Sequence, residues 1–161
     1  MEGLPNYDII KGKADTFYRE INHVRCHALN NDAINFSAEG FRHLMYKGQK
    51  RIQERNRGVQ IMKFKLLPRA KIILEISTTF QEYQENLVEI KKKKHKRIVF
   101  ENAIVKYWGF VAIIRDRRVK VIVKQIGNGQ KQFWSVIPAW SKSYYKDIKI
   151  ISMSKGDMIE D

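Results

Sequence analysis

KVIVKQIGNGQKQFWSVIP, residues 120–138, is the stretch that decides how the rest of the chain is read. Two alternating apolar runs flank Gly127-Asn128-Gly129, and Asn-Gly favours a type I′ hairpin turn because both positions tolerate positive φ. The glycines lack the G-x-G-x-x-G spacing and lie between two strands, not between a strand and a helix. A hairpin is therefore predicted, not a phosphate loop. That turn sets Ile126 opposite Lys131, Lys124 opposite Phe133 and Val123 opposite Trp134. A preceding turn at Asp116-Arg117 sets Ala112 against Val121 and Gly109 against Lys124.

Side chains alternate between sheet faces, so two faces follow. Trp108, Phe110, Ala112, Ile114, Val119, Val121, Val123, Trp134 and Val136 form an apolar layer suited to cover by helices. Gln125 and Gln132 close its end. Tyr107, Gly109, Val111, Lys120, Ile122, Lys124, Phe133 and Ser135 form a mixed second face. On it, a lysine and a hydroxyl beside aromatics are groups that hold a phosphodiester with flanking bases. They are equally ordinary on the solvent side of an antiparallel sheet.

Strands are predicted over 103–115, 118–126 and 130–137. Upstream, 37–48 (SAEGFRHLMYKG) reads as a helix, with Ser37 as N-cap, Glu39 at the positive end and Gly48 as stop. Residues 59–67 read as helical, and Pro68 fits the first position of a second helix running to about Ser77. Residues 17–36 alternate loosely and predict one or two short strands around an Asn30-Asn31-Asp32 turn. Residues 78–86 predict a further strand. Helices followed by an antiparallel meander define an α+β fold, N-terminal helices on a sheet of about four strands. One domain is expected over 1–161, with a basic insertion near 87–98 and a loose tail over 141–161.

The net charge of +14 is concentrated. Residues 42–71 hold ten basic side chains against one acid, Glu54, and 91–97 (KKKKHKR) hold six more, so the remaining chain is near neutral. Such clusters displace counterions from a polyanion, which points to nucleic acid; a solubilising surface is the plainer alternative. The single cysteine, Cys26, excludes an internal disulfide framework and fits a reducing cytoplasm. Residues 1–15 hold no apolar run, and the longest such run, 108–114, is too short for a bilayer, so a cytoplasmic protein without membrane contact is expected. HVRCH (residues 23–27) is a poor metal site among basic neighbours, and no paired acids suggest a two-metal nuclease. Neither metal nor cofactor is expected. Cleavage of nucleic acid would then follow a metal-independent route, with the RNA 2′-OH as nucleophile. The ordinary pKa of histidine lies near neutrality, which makes His43 the best titratable candidate, and Arg42 beside it is a natural phosphate ligand.

FSAEGFRHLMYKG, KFKLLPRAKIIL, YWGFVAII and RVKVIVKQIGNGQKQFWSVIP together resemble the phage- and mobile-element-associated branch of the barnase–EndoU–colicin–RelE nuclease superfamily. The resemblance covers residues 36–138. It implies a barnase- or RelE-like fold and metal-independent RNA cleavage by a toxin or effector, with tRNA or mRNA among the substrates and an antitoxin or immunity protein as a partner. Carried over by position, the implied site takes Arg42 and His43 from the helix, Lys124 and Gln125 from the penultimate strand, Trp134 and Ser135 from the last, and Arg55 or Arg57 as supporting cations.

The expected catalytic set is His43 as acid or base, Arg42 and Lys124 on the phosphate, and Ser135 orienting it. The expected nucleic-acid contacts are Arg51, Arg55, Arg57, Lys63, Lys92, Lys93, Tyr107, Gln125 and Trp134. The alternative expectation is a non-enzymatic nucleic-acid-binding protein of a phage or mobile element. An interaction protein whose charge serves solubility ranks third.

Overall fold

Alternating β-branched and aromatic residues dominate the second half of the chain, and the computed structural model forms them into the centre of one twisted sheet. It describes residues 6–48, 52–139 and 158. In chain order the elements are α1 (Tyr7–Ile21), β1 (His23–Cys26), a 3-10 turn (His27–Leu29), β2 (Asp32–Asn35) and α2 (Ala38–Met45). Then follow β3 (Tyr46–Lys47), β4 (Gln53–Glu54), α3 (Arg57–Ile76), β5 (Glu82–Lys94), β6 (Arg97–Ile114), β7 (Arg117–Ile126) and β8 (Lys131–Pro138). Among the described residues the fold is α+β, three helices and a six-stranded sheet in the order β1-β2-β8-β7-β6-β5, with β3 and β4 as a separate small pair. All sheet neighbours are antiparallel except β2 and β8, which run parallel at Ile34 and Lys131. Among the described residues, no helix is long and apolar enough to cross a membrane.

One sheet face carries the helices. Tyr18, Phe41, Phe64, Leu67 and Ile73 from α1, α2 and α3 pack on Trp108, Phe110, Val119, Val121 and Val123. This is the apolar layer expected from alternation, with one exchange. Phe133 belongs to it, stacked on Phe36 at 4.9 Å, whereas Trp134 packs towards the opposite cluster of Val105, Tyr107, Ile122 and Met158. The cause is a bulge. Ile122 pairs with Ser135 and Val123 with Phe133, leaving Trp134 as the extra residue in β8. An inserted residue resets the alternation locally and re-aims one side chain.

The turns differ from expectation in the same way. The β6–β7 hairpin turns on Arg115 and Asp116, both at positive φ, one residue earlier than predicted. That shifts the ladder by two, so Gly109 meets Ile122 and Ala112 meets Val119. Between β7 and β8, Gly127 and not Asn128 takes positive φ, and the loop runs over 127–130, closed by the Gly129 N–H donating to the Ile126 carbonyl at 2.9 Å.

Gly109 opens space, though not beside Lys124. A Cβ there would lie 3.0 Å from Glu82, whose carboxylate crosses β6 to meet Lys120 Nζ at 2.7 Å. Both charges are buried. Met158 also lies against Gly109 and is the one described residue of the tail expected to be loose.

Three further expectations are corrected. Residues 7–21 form a helix that takes the start of the 17–36 stretch, while the two short strands expected there are present as β1 and β2, turning at Asn30-Asn31. Pro68 lies inside α3 instead of starting a new helix; it sits on the exposed side, where losing its hydrogen bond to the Phe64 carbonyl is outweighed by burial of Phe64, Leu67, Ala70 and Leu74. The lysine run is not a loop. It completes β5, which pairs with β6 without interruption from Glu82–Gly109 to Lys94–Arg97.

The buried ion pair gives a direct test. Lys120→Met leaves the Glu82 carboxylate buried without this cation and is expected to cost about 3–5 kcal/mol, whereas Lys120→Met with Glu82→Leu recovers most of that loss. Urea denaturation of the three proteins measures it.

Candidate functional site

Gly40 brings α2 close to the sheet edge. A Cβ at that position would fall 2.2 Å from the Phe133 carbonyl oxygen, so the first turn of α2 lies directly on the β8 backbone. Ser37 fastens the contact. Its Oγ accepts from the Gly40 N–H at 3.3 Å and donates to Gln132 Oε1 at 2.7 Å, while its carbonyl accepts from Tyr18 at 2.6 Å. One turn later, His43 therefore faces the bulge and stacks on Trp134 with ring centroids 4.0 Å apart.

Four cations converge around this pair. Lys124 Nζ sits 3.8 Å over the Trp134 ring and 5.8 Å over Tyr107. Arg55, just after β4, donates from Nε to the His43 carbonyl at 3.0 Å and from Nη2 to His43 Nε2 at 3.1 Å. Lys63 of α3 donates to Ser135 Oγ at 3.0 Å and to the Val136 carbonyl at 3.2 Å. Arg42 is exposed and lines, with Glu39, His43, Tyr46 and Trp134, a small cleft of about 80 Å³. A larger cleft of about 400 Å³ is lined by Lys47, Gln53, Arg55 and Lys63.

The charge state of His43 follows from these neighbours. A guanidinium only donates, so Nε2 carries the lone pair and Nδ1 the proton. Burial, then Arg55, Lys63 and Lys124, push its pKa down to about 3. At neutral pH the ring is an uncharged acceptor and cannot serve as an acid in the unliganded protein. Lys124 is also lowered from the usual lysine value, by burial, with Glu39 opposing the shift.

The structure brings together His43, Arg42, Arg55, Lys63, Lys124 and Trp134 from the expected set. Ser135 is fully buried, and its hydroxyl accepts from Lys63, so it holds that lysine from within the core. Tyr107, 1% exposed, cannot stack on a base. Gln125 donates to the Gly129 carbonyl at 2.8 Å and holds the turn. Arg57 lies 4.3 Å over Tyr7 on α1, and Lys92 and Lys93 lie on the distant end of β5. Arg51 lies outside the described residues. The pairing of Arg55 with His43 was not foreseen, nor was Gln60, a fully buried side chain whose Nε2 donates to the Arg55 carbonyl at 2.7 Å. HVRCH splits, with Cys26 buried and His23 and His27 exposed, and no group of three metal-ligating side chains occurs among the described residues. Comparison with protein-family models, curated proteins and solved structures returned no match.

The buried neutral histidine has a measurable consequence. Between pH 6.5 and about 3 the unfolded chain binds a proton at His43 that the folded chain excludes, so stability falls as pH falls through that window. The expected slope is roughly 1.4 kcal/mol per pH unit. His43→Gln, which keeps an acceptor for Arg55, removes this contribution; urea midpoints of both proteins at pH 6.5, 5.5 and 4.5 check it.

Proposed function

We propose that the protein is a metal-independent endoribonuclease with a barnase- or RelE-like fold, acting at the cleft beside His43 and Trp134. The observation that carries the reading is the convergence of Arg55, Lys63 and Lys124 on a neutral, stacked histidine at an edge lined by Arg42. Buried like charges repel one another, and a phosphate diester among them relieves that repulsion. The motif resemblance over residues 36–138 supports the same assignment.

In this mechanism the scissile phosphate binds Arg42 and Arg55. Arg55 exchanges His43 Nε2 for phosphate oxygen, which frees the lone pair. The bound negative charge offsets the three cations, so His43 becomes basic where the nucleophile sits. It takes the 2′-OH proton as the 2′-oxygen attacks phosphorus. Lys124 stabilises the extra charge on the phosphorane and supplies a proton to the departing 5′-oxygen; its lowered pKa suits that transfer. The products are a 2′,3′-cyclic phosphate and a free 5′-hydroxyl.

A second reading, RNA binding without chemistry, draws on the His43 Nε2 contact with Arg55 and the burial of Ser135. One assay separates the two. Purified protein is incubated with total RNA in EDTA beside His43→Ala, Arg55→Ala and Lys124→Ala, each first shown to be folded. Cleavage by the wild type, lowered about 10²–10⁴-fold in each variant, is expected. Salt-sensitive binding without cleavage overturns the enzyme and leaves the binding protein.

A further inference from the structure

The β5–β6 hairpin outgrows the sheet. β7 stops where Ile126 pairs with Val105, but β5 and β6 stay paired as far as Lys94 and Arg97, turning on His95 and Lys96 at positive φ. Eight residues separate Val105 from Arg97 along β6, which makes a two-stranded arm about 27 Å long, or about 30 Å with its turn. Its root adjoins the candidate site, since Tyr107 beneath Lys124 lies two residues before the arm begins. There the free edge of β6 and the turn at 127–129 enclose a groove of about 660 Å³ lined by Lys92 and Lys106, with Glu101 as its one acid.

The lysines of the arm are not equivalent. Lys92 and Lys94 bond to Glu101 at 3.4 and 2.5 Å. Lys93, Lys96 and Arg97 are exposed at the tip and have no carboxylate partner among the described residues. Phe100 is the one exposed aromatic of the arm, 56% exposed under Lys91, beside Ile98 at 69%. A single aromatic cannot stack successive bases, so the arm does not suit an extended single strand. A stiff ribbon ending in exposed cations suits the regular phosphate rows of helical RNA.

We infer that the arm lies along a helical segment of RNA flanking the cleavage site, so that the substrate is a folded RNA and not a short single strand. The inference rests on the ribonuclease reading for RNA as the ligand, and it adds the structural class of that RNA. An RNA that engages both the cleft and the tip spans the 30 Å between them, about a helical turn, which a hexanucleotide without secondary structure does not do as a duplex.

The test measures binding and therefore stands apart from cleavage. Fluorescence anisotropy in EDTA, over a series of salt concentrations, compares a 2′-O-methyl RNA hairpin of about 16 base pairs with a single-stranded 2′-O-methyl hexamer, neither of which holds a nucleophilic 2′-OH. The proteins are the wild type and Lys93→Glu/Lys96→Glu/Arg97→Glu, whose exposed side chains leave folding intact by circular dichroism. The variant is expected to bind the hairpin at least about ten-fold more weakly, with a salt slope smaller by about 2–3, and to bind the hexamer within about two-fold of wild type. Equal losses for both RNAs, or no loss for the hairpin, overturn the inference; the latter is the result expected of an arm that serves a protein partner. Arm-dependent hairpin binding by a protein that cleaves no RNA keeps this inference and removes the ribonuclease.

Discussion

The extra residue at Trp134 in β8 is the constraint on which the site depends. Without it, Trp134 would join the helix-side core and Phe133 the opposite face. With it, Phe133 stacks on Phe36 among the buried aromatics, and Trp134 turns to meet His43 and Lys124. The ladder loses regular pairing at one point, and full burial of Phe133, on the order of 2–3 kcal/mol, together with the partial burial of Trp134, outweighs that loss. The same bulge sits where Gly40 lets α2 approach the β8 backbone, so helix docking and ring stacking hold one another in place.

Around that stack the protein gathers four cations, with Glu39 as the acid lining the small cleft. The Arg55 guanidinium is held by His43, Lys63 by Ser135 and the Val136 carbonyl, and Lys124 by the face of Trp134. Each cation is secured by neutral acceptors or a π-face in the contacts described. Contrast the Lys120–Glu82 pair, where a buried lysine meets a carboxylate directly and the charges cancel.

Much of this was legible in the sequence because it rests on local rules. Ser37, Glu39 and Gly48 bracket α2 within a few residues of its observed bounds, and alternation assigned the faces of β6 and β7 correctly. What was not legible is long-range. A run of four lysines has poor strand propensity, yet pairing with β6 carries β5 through it. Pro68 marks a boundary by local rules, but a core-facing stripe on both sides keeps α3 continuous. The turn at Arg115-Asp116 lacks the glycine that identifies such turns, so the register slipped by two and misplaced the space at Gly109. Arg55 and His43 are twelve residues apart on either side of a short strand pair, and nothing local links them. Ser135, Tyr107 and Gln125 had the right chemistry for a site but proved to be buried or engaged in the scaffold.

The central claim is that the Arg55–His43 contact is a phosphate site waiting for its ligand. Nitrogen-15 NMR of the histidine rings, with and without a 2′-O-methyl RNA oligonucleotide, tests it most directly. In the free protein His43 is predicted to show the Nδ1-protonated neutral form with no titration between pH 8 and 5. On binding, its Nε2 and the Trp134 indole are predicted to shift and its pKa to rise towards neutrality. An RNA that binds while both signals and the His43 titration stay unchanged would contradict the account.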